Sequence, residues 1–66
     1  MEITLNGEKH YIAEPLSVTE LLRSLAIDPE KVAVELDRRI VRVPDWGSSV
    51  VGEGAVVEVV QFVGGG

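Results

Sequence analysis

Val56-Val57-Glu58-Val59-Val60-Gln61-Phe62-Val63-Gly64-Gly65-Gly66 closes the sequence, and the rest of the chain is read outward from it. An apolar run this continuous predicts a strand in the middle of a sheet, covered on at least part of both faces. Glycine reaches backbone regions closed to other residues and lets another backbone approach closely. Residues 63–66 are therefore expected to form a flexible tail, slender enough to thread a channel and present a carboxylate to a partner. The alternative is an inert, frayed end.

Strand parity divides the run. Ala55, Val57 and Val59 share one face, and Val56, Val60 and Phe62 share the other with Glu58. One helix covers only one face of a sheet, so one apolar set is expected to lie exposed beside the tail. Exposed apolar patches mark partner sites. Val60, Phe62 and Val63 are the expected docking residues, unless long side chains such as Arg42 or Lys9 cover them.

Upstream, Met1, Ile3 and Leu5 alternate with polar residues, Asn6-Gly7 follows, and Glu8 to Ile12 resumes the pattern. Asn-Gly between two such runs predicts a two-residue hairpin turn. That turn pairs Leu5 with Glu8, Ile3 with His10 and Met1 with Ile12. Glu14-Pro15 ends the second strand. Ser17 and Glu20 have capping-box spacing. Val18, Leu21, Leu22 and Leu25 form one apolar stripe of a helix, expected to stop at Asp28-Pro29. Val32–Leu36 predicts a third strand, Asp37-Arg38-Arg39 a polar turn and Ile40–Val43 a fourth strand. Pro44 to Ser49 reads as a loop or a single helical turn, Val50-Val51 as a short apolar stretch and Gly52-Glu53-Gly54 as a turn. The expected order is strand, strand, helix and three more strands, an α+β roll with one helix packed on one face of a mixed sheet.

Composition excludes several functions. At 66 residues the chain is one domain, too small to wall off a deep catalytic pocket. It has no cysteine and one histidine, His10, so neither a nucleophile–base pair nor a histidine-rich zinc site can be assembled. No catalytic residue and no metal site are expected. The net charge of −5 argues against a nucleic-acid backbone binder and suits docking on basic surfaces. No apolar run reaches the roughly 20 residues that span a bilayer. A cytoplasmic protein without a leader or membrane segment is expected. Trp46, in a Pro/Gly loop, reads as a core plug ahead of a partner anchor.

Taken together, Ile3-x-Leu5-Asn6-Gly7-Glu8, Val18-Thr19-Glu20-Leu21-Leu22, Val32-Ala33-Val34-Glu35-Leu36 with Ile40-Val41, Pro44-x-Trp46 and Gly52-x-Gly54-x-x-Val57-Glu58-Val59-Val60-x-x-Val63-x-Gly65-Gly66 resemble the sulfur carrier family of thiamine biosynthesis. The resemblance runs the length of the chain and implies a ubiquitin-like β-grasp fold. Ala55 stands where the family often has aspartate, and three glycines stand where it has two. The resemblance implies that Gly66 is adenylated and becomes a thiocarboxylate, with Gly64 and Gly65 giving passage into partner sites. The implied partners are an E1-like adenylating enzyme that uses ATP, a cysteine desulfurase as sulfur source, and thiazole synthase as acceptor. The chain itself would hold no cofactor. The same features fit the somewhat longer small subunit of molybdopterin synthase, a tRNA-thiolation carrier or a ubiquitin-like modifier. A plain interaction domain with an inert tail is the reading from a different class.

Overall fold

In the computed structural model, which describes residues 1–62, two hairpins flank the last strand. β1 (Glu2–Leu5) and β2 (Glu8–Tyr11) form the first hairpin. Its turn holds Asn6 at φ 49° and Gly7 at φ 81°, the left-handed pair that a two-residue turn demands. The register is the one predicted, with Leu5 opposite Glu8 and Ile3 opposite His10. Met1 and Ile12 exchange backbone bonds of 2.7 and 2.9 Å beyond the strand ends.

β3 (Leu16–Ser17) leads directly into α1 (Val18–Ser24). The capping box is present: Ser17 Oγ accepts from the Glu20 N–H at 3.0 Å, and the Glu20 carboxylate accepts from the Ser17 N–H at 2.8 Å. The Ser17 backbone N–H foremost, and the Ser17 hydroxyl after it, hold the Glu20 carboxyl below its ordinary value of 4.5, with Arg23 adding to the effect. A group whose folded pKa is depressed contributes stability above its unfolded pKa and loses it as pH falls through the folded value. Glu20→Ala is therefore expected to melt below the wild type at neutral pH. Thermal melts followed by circular dichroism should show the gap closing as the pH drops below 4.5.

α1 ends four residues before the expected stop, at Ser24. Ala26 turns left-handed at φ 56°. Its N–H donates to Arg23 O at 3.1 Å, and the Ile27 N–H donates to Leu22 O at 3.0 Å. That bond pair is a Schellman closure, which usually holds glycine where Ala26 stands. A single 3-10 turn at Pro29–Lys31 then delivers the chain to β4 (Val32–Leu36).

β5 (Arg39–Val41) returns against β4 through a two-residue turn with Asp37 at φ 50° and Arg38 at φ 71°. The fourth strand thus begins one residue earlier than expected and ends two earlier. Pro44 has no N–H for a ladder, and its fixed φ suits the 3-10 turn formed by Val43–Asp45. β6 (Val50–Val51) pairs with β3, a ribbon the sequence reading missed.

β7 (Val56–Gln61) lies at the centre of a five-stranded sheet in the order β2-β1-β7-β4-β5. It runs parallel to β1 and antiparallel to β4. Ile3, Val34 and Val57 from the sheet meet Val18, Leu21 and Leu22 from α1 in the buried core. Trp46 is also buried, and its Nε1–H donates to Val41 O at 2.8 Å. It is a core plug, as expected.

The outer sheet face and the exit of the last strand

The helix settles which parity of β7 faces inward. Val57 is 0% exposed and Ala55 is buried, while Val56, Val60 and Phe62 lie on the outer face, Val60 at 58% and Phe62 at 57% exposed. Two of the three expected docking residues are therefore solvent-facing. Val63, Gly64, Gly65 and Gly66 lie outside the described residues.

The register extends this outer face across the sheet. Thr4 sits between Lys9 and Val56, Ala33 lies opposite Val60, and Glu35 lies between Glu58 and Ile40. Ile40, at 76% exposed, and Tyr11 on β2 add apolar area that the sequence reading had not assigned. Parity counted along β2 and β5, as it was along β7, finds both. Lys9 reaches back to Glu2 at 3.9 Å and Val60 stays open, while Arg42 lines the same groove as Phe62.

Glu35 and Glu58 stand directly opposite each other within this face. Like charges at such a position oppose sheet pairing. The pair Lys9–Glu2 is the one ion bridge among the described residues, so none of the described cations forms a bridge to either carboxylate. The centre of the outer face is thus apolar and acidic together.

Two turn residues reach β7 from opposite flanks. Asp37 donates its N–H to Val56 O at 2.7 Å and accepts the Val56 N–H on Oδ1 at 2.9 Å. Asn6 donates its N–H to Val57 O at 2.9 Å. Its side chain then accepts the Val59 N–H on Oδ1 at 2.7 Å and donates from Nδ2 to Val59 O at 3.3 Å. At the exit of the strand, the Phe62 N–H donates to Lys31 O at 2.8 Å. The Phe62 ring borders a shallow apolar groove with Pro29, Val32, Val43 and Pro44.

His10 is half-buried at its hairpin position opposite Ile3. Among the described residues no three acidic or histidine side chains gather as metal ligands, and no helix is long and apolar enough to cross a membrane.

One helix laid on a mixed five-stranded sheet, with a parallel pair at its centre, defines the ubiquitin-like β-grasp class. The ThiS family model matches residues 2–66, and the chain belongs to that family. The crystal structure of the thiamine biosynthesis protein ThiS from Geobacter metallireducens superposes with a TM-score of 0.89 at 38% identity, with both chains fully covered. Among curated relatives, a thiazole synthase of Magnetococcus marinus is 42% identical over all 66 residues. The chain spans 20% of the length of that relative, and likewise of a thiazole synthase from Paramagnetospirillum magneticum at 36% identity. The uncharacterised protein ycf40 of Porphyra purpurea is 32% identical, with 93% of its length covered.

Proposed function

We propose that this chain carries sulfur on the carboxylate of Gly66 and is a co-substrate of its partner enzymes. The observation that carries the reading is the family match over residues 2–66, which takes in the glycine run. The outward apolar strand that leads into that run supports it.

The chemistry asks little of the chain. A carboxylate is a poor electrophile. In the proposed reaction an E1-like partner uses ATP to join the Gly66 carboxylate to AMP, releasing pyrophosphate. A persulfide sulfur, drawn through a cysteine desulfurase, then attacks the acyl carbon to form an acyl disulfide, whose S–S bond a thiol reductant cleaves. AMP departs with one former carboxylate oxygen, and a thiocarboxylate remains. ATP is the partner's reagent, and the chain holds no cofactor. Gly64 and Gly65 supply the passage, because only a backbone without side chains fits a narrow channel. Val60, Phe62 and Val63 contribute to the docking surface.

Thiazole synthase is the proposed acceptor. Two thiazole synthases contain a stretch related to this chain over its whole length. A cytoplasmic carrier, working beside its ATP-using partner, is part of the proposal.

Intact mass after incubation with ATP, an adenylating enzyme, a cysteine desulfurase, cysteine and a thiol reductant tests the reading. The expected result is replacement of one oxygen by sulfur, located in the C-terminal peptide. An unchanged mass, with the adenylating enzyme active on its own carrier, overturns it.

A further inference from the structure

We propose that Asn6 is a positioning residue that fixes the direction in which the chain leaves β7, and so sets the rate at which the tail reacts without setting how tightly the domain docks. The proposal rests on the carrier reading above.

The argument begins with a mismatch of strand lengths. β1 pairs with β7 only as far as Leu5 opposite Val57, whereas β4 follows β7 down to Val32 opposite Gln61. Beyond Val57 the backbone of β7 is laddered on one flank alone. In an antiparallel pair the N–H and C=O groups of successive residues point to alternate sides. Val56 faces Asp37 and Phe62 faces Lys31, so Val56, Glu58, Val60 and Phe62 bond on the β4 side. Val59 and Gln61 turn the other way, past the end of β1.

Asn6 fills that gap at Val59. Its amide gives one donor and one acceptor to the Val59 backbone, at 3.3 and 2.7 Å, and so occupies two groups that a longer β1 would have bonded. It can do so because φ 49° at Asn6 bends the backbone away into the hairpin while the side chain continues along the strand. A hairpin turn needs only the positive φ, and glycine supplies that as well. The side-chain bonds are therefore separable from the turn.

Without them, the last rungs of β7 keep their bonds to β4 and the outer face keeps its shape. The strand end is then free to twist about that single ladder, and the aim of the chain beyond Phe62 spreads. A displacement of about 1 Å in a reacting group costs on the order of a hundredfold in rate, so a partial loss of aim is expected to cost about tenfold.

Asn6→Gly keeps the turn and removes the clamp. Asp37→Gly is the control, because it removes a comparable bond to β7 at the start of the strand, on the opposite flank. The full chain and both variants would be compared for initial rate of thiocarboxylate formation against carrier concentration, alongside amide hydrogen exchange. The expected result for Asn6→Gly is a kcat lower by about tenfold with KM within about twofold of wild type. Exchange at Val59 should accelerate while Val60, bonded to β4, stays protected. Asp37→Gly should keep the wild-type kcat. A wild-type kcat in Asn6→Gly, or equal losses in both variants, overturns the inference and leaves the carrier reading standing. A wild-type chain that is not loaded at all overturns the carrier reading and this inference with it.

Discussion

Adding a single alanine after Gly66 is expected to abolish thiocarboxylate formation, and Gly66→Ala to reduce it at least a hundredfold, with melting temperatures unchanged. The proposed chemistry acts on one carboxylate, so an added residue moves that group by up to about 3.6 Å. Misplacement of about 1 Å already costs on the order of a hundredfold. Gly66→Ala keeps the carboxylate near its place but puts a methyl where the proposed channel admits only backbone. Neither change touches the buried core, whose members run from Ile3 to Val57. Intact mass reads the loading, and circular dichroism reads the fold. Normal loading of both variants would remove Gly66 from the reaction.

Leu21→Ala is expected to leave the domain largely unfolded or lower its melting temperature by roughly 10 °C or more. Leu21 is 0% exposed and packs where α1 meets the sheet. Truncating a buried leucine costs about 2–5 kcal/mol, because the cavity only partly collapses. At roughly 0.05–0.15 kcal/mol per residue, a domain this small has about 3–10 kcal/mol in total. Val60→Ala removes a side chain of similar chemistry from the exposed face and should shift stability by no more than about 0.5 kcal/mol. Urea titrations of the two variants make the comparison directly.

Local chemistry made much of this fold legible. Asn6-Gly7, Ser17 with Glu20 and the apolar stripe from Val18 to Leu22 each state their structure within a few residues, and each forms as read. Central placement of β7 followed from its continuous apolar run. The misses share one cause. Ala26 closes the helix in a conformation usually held by glycine, so nothing in its residue type marks the stop. Leu16-Ser17 is too short to show a period, and it becomes a strand only because Val50-Val51 comes alongside. The second hairpin turn holds Asp37 and Arg38 left-handed without any glycine.

The candidate site divides in the same way. Val60 and Phe62 were legible because parity along one strand needs no tertiary information. Choosing the exposed parity required the helix to be placed. The Glu35–Glu58 opposition and the Asn6 bonds to Val59 join residues distant in sequence, and only the sheet register brings them together. Gly64, Gly65, Gly66 and Val63 rest on the family match and on the loading experiment.

The parallel pairing of β1 with β7 also governs when the protein can come into being. The first strand waits for the last: Thr4 meets Val56 and Leu5 meets Val57. During synthesis the first hairpin, the helix and the second hairpin can each form early, yet the sheet that unites them has a vacant centre until β7 leaves the ribosome. Contacts this distant in sequence slow folding, because loop closure precedes any gain from pairing. A nascent chain therefore exposes the inner faces of both hairpins until its final strand arrives. Assembly of the sheet and completion of the strand that leads to the glycines become one event, so an incompletely made carrier has no finished surface with which to engage a partner.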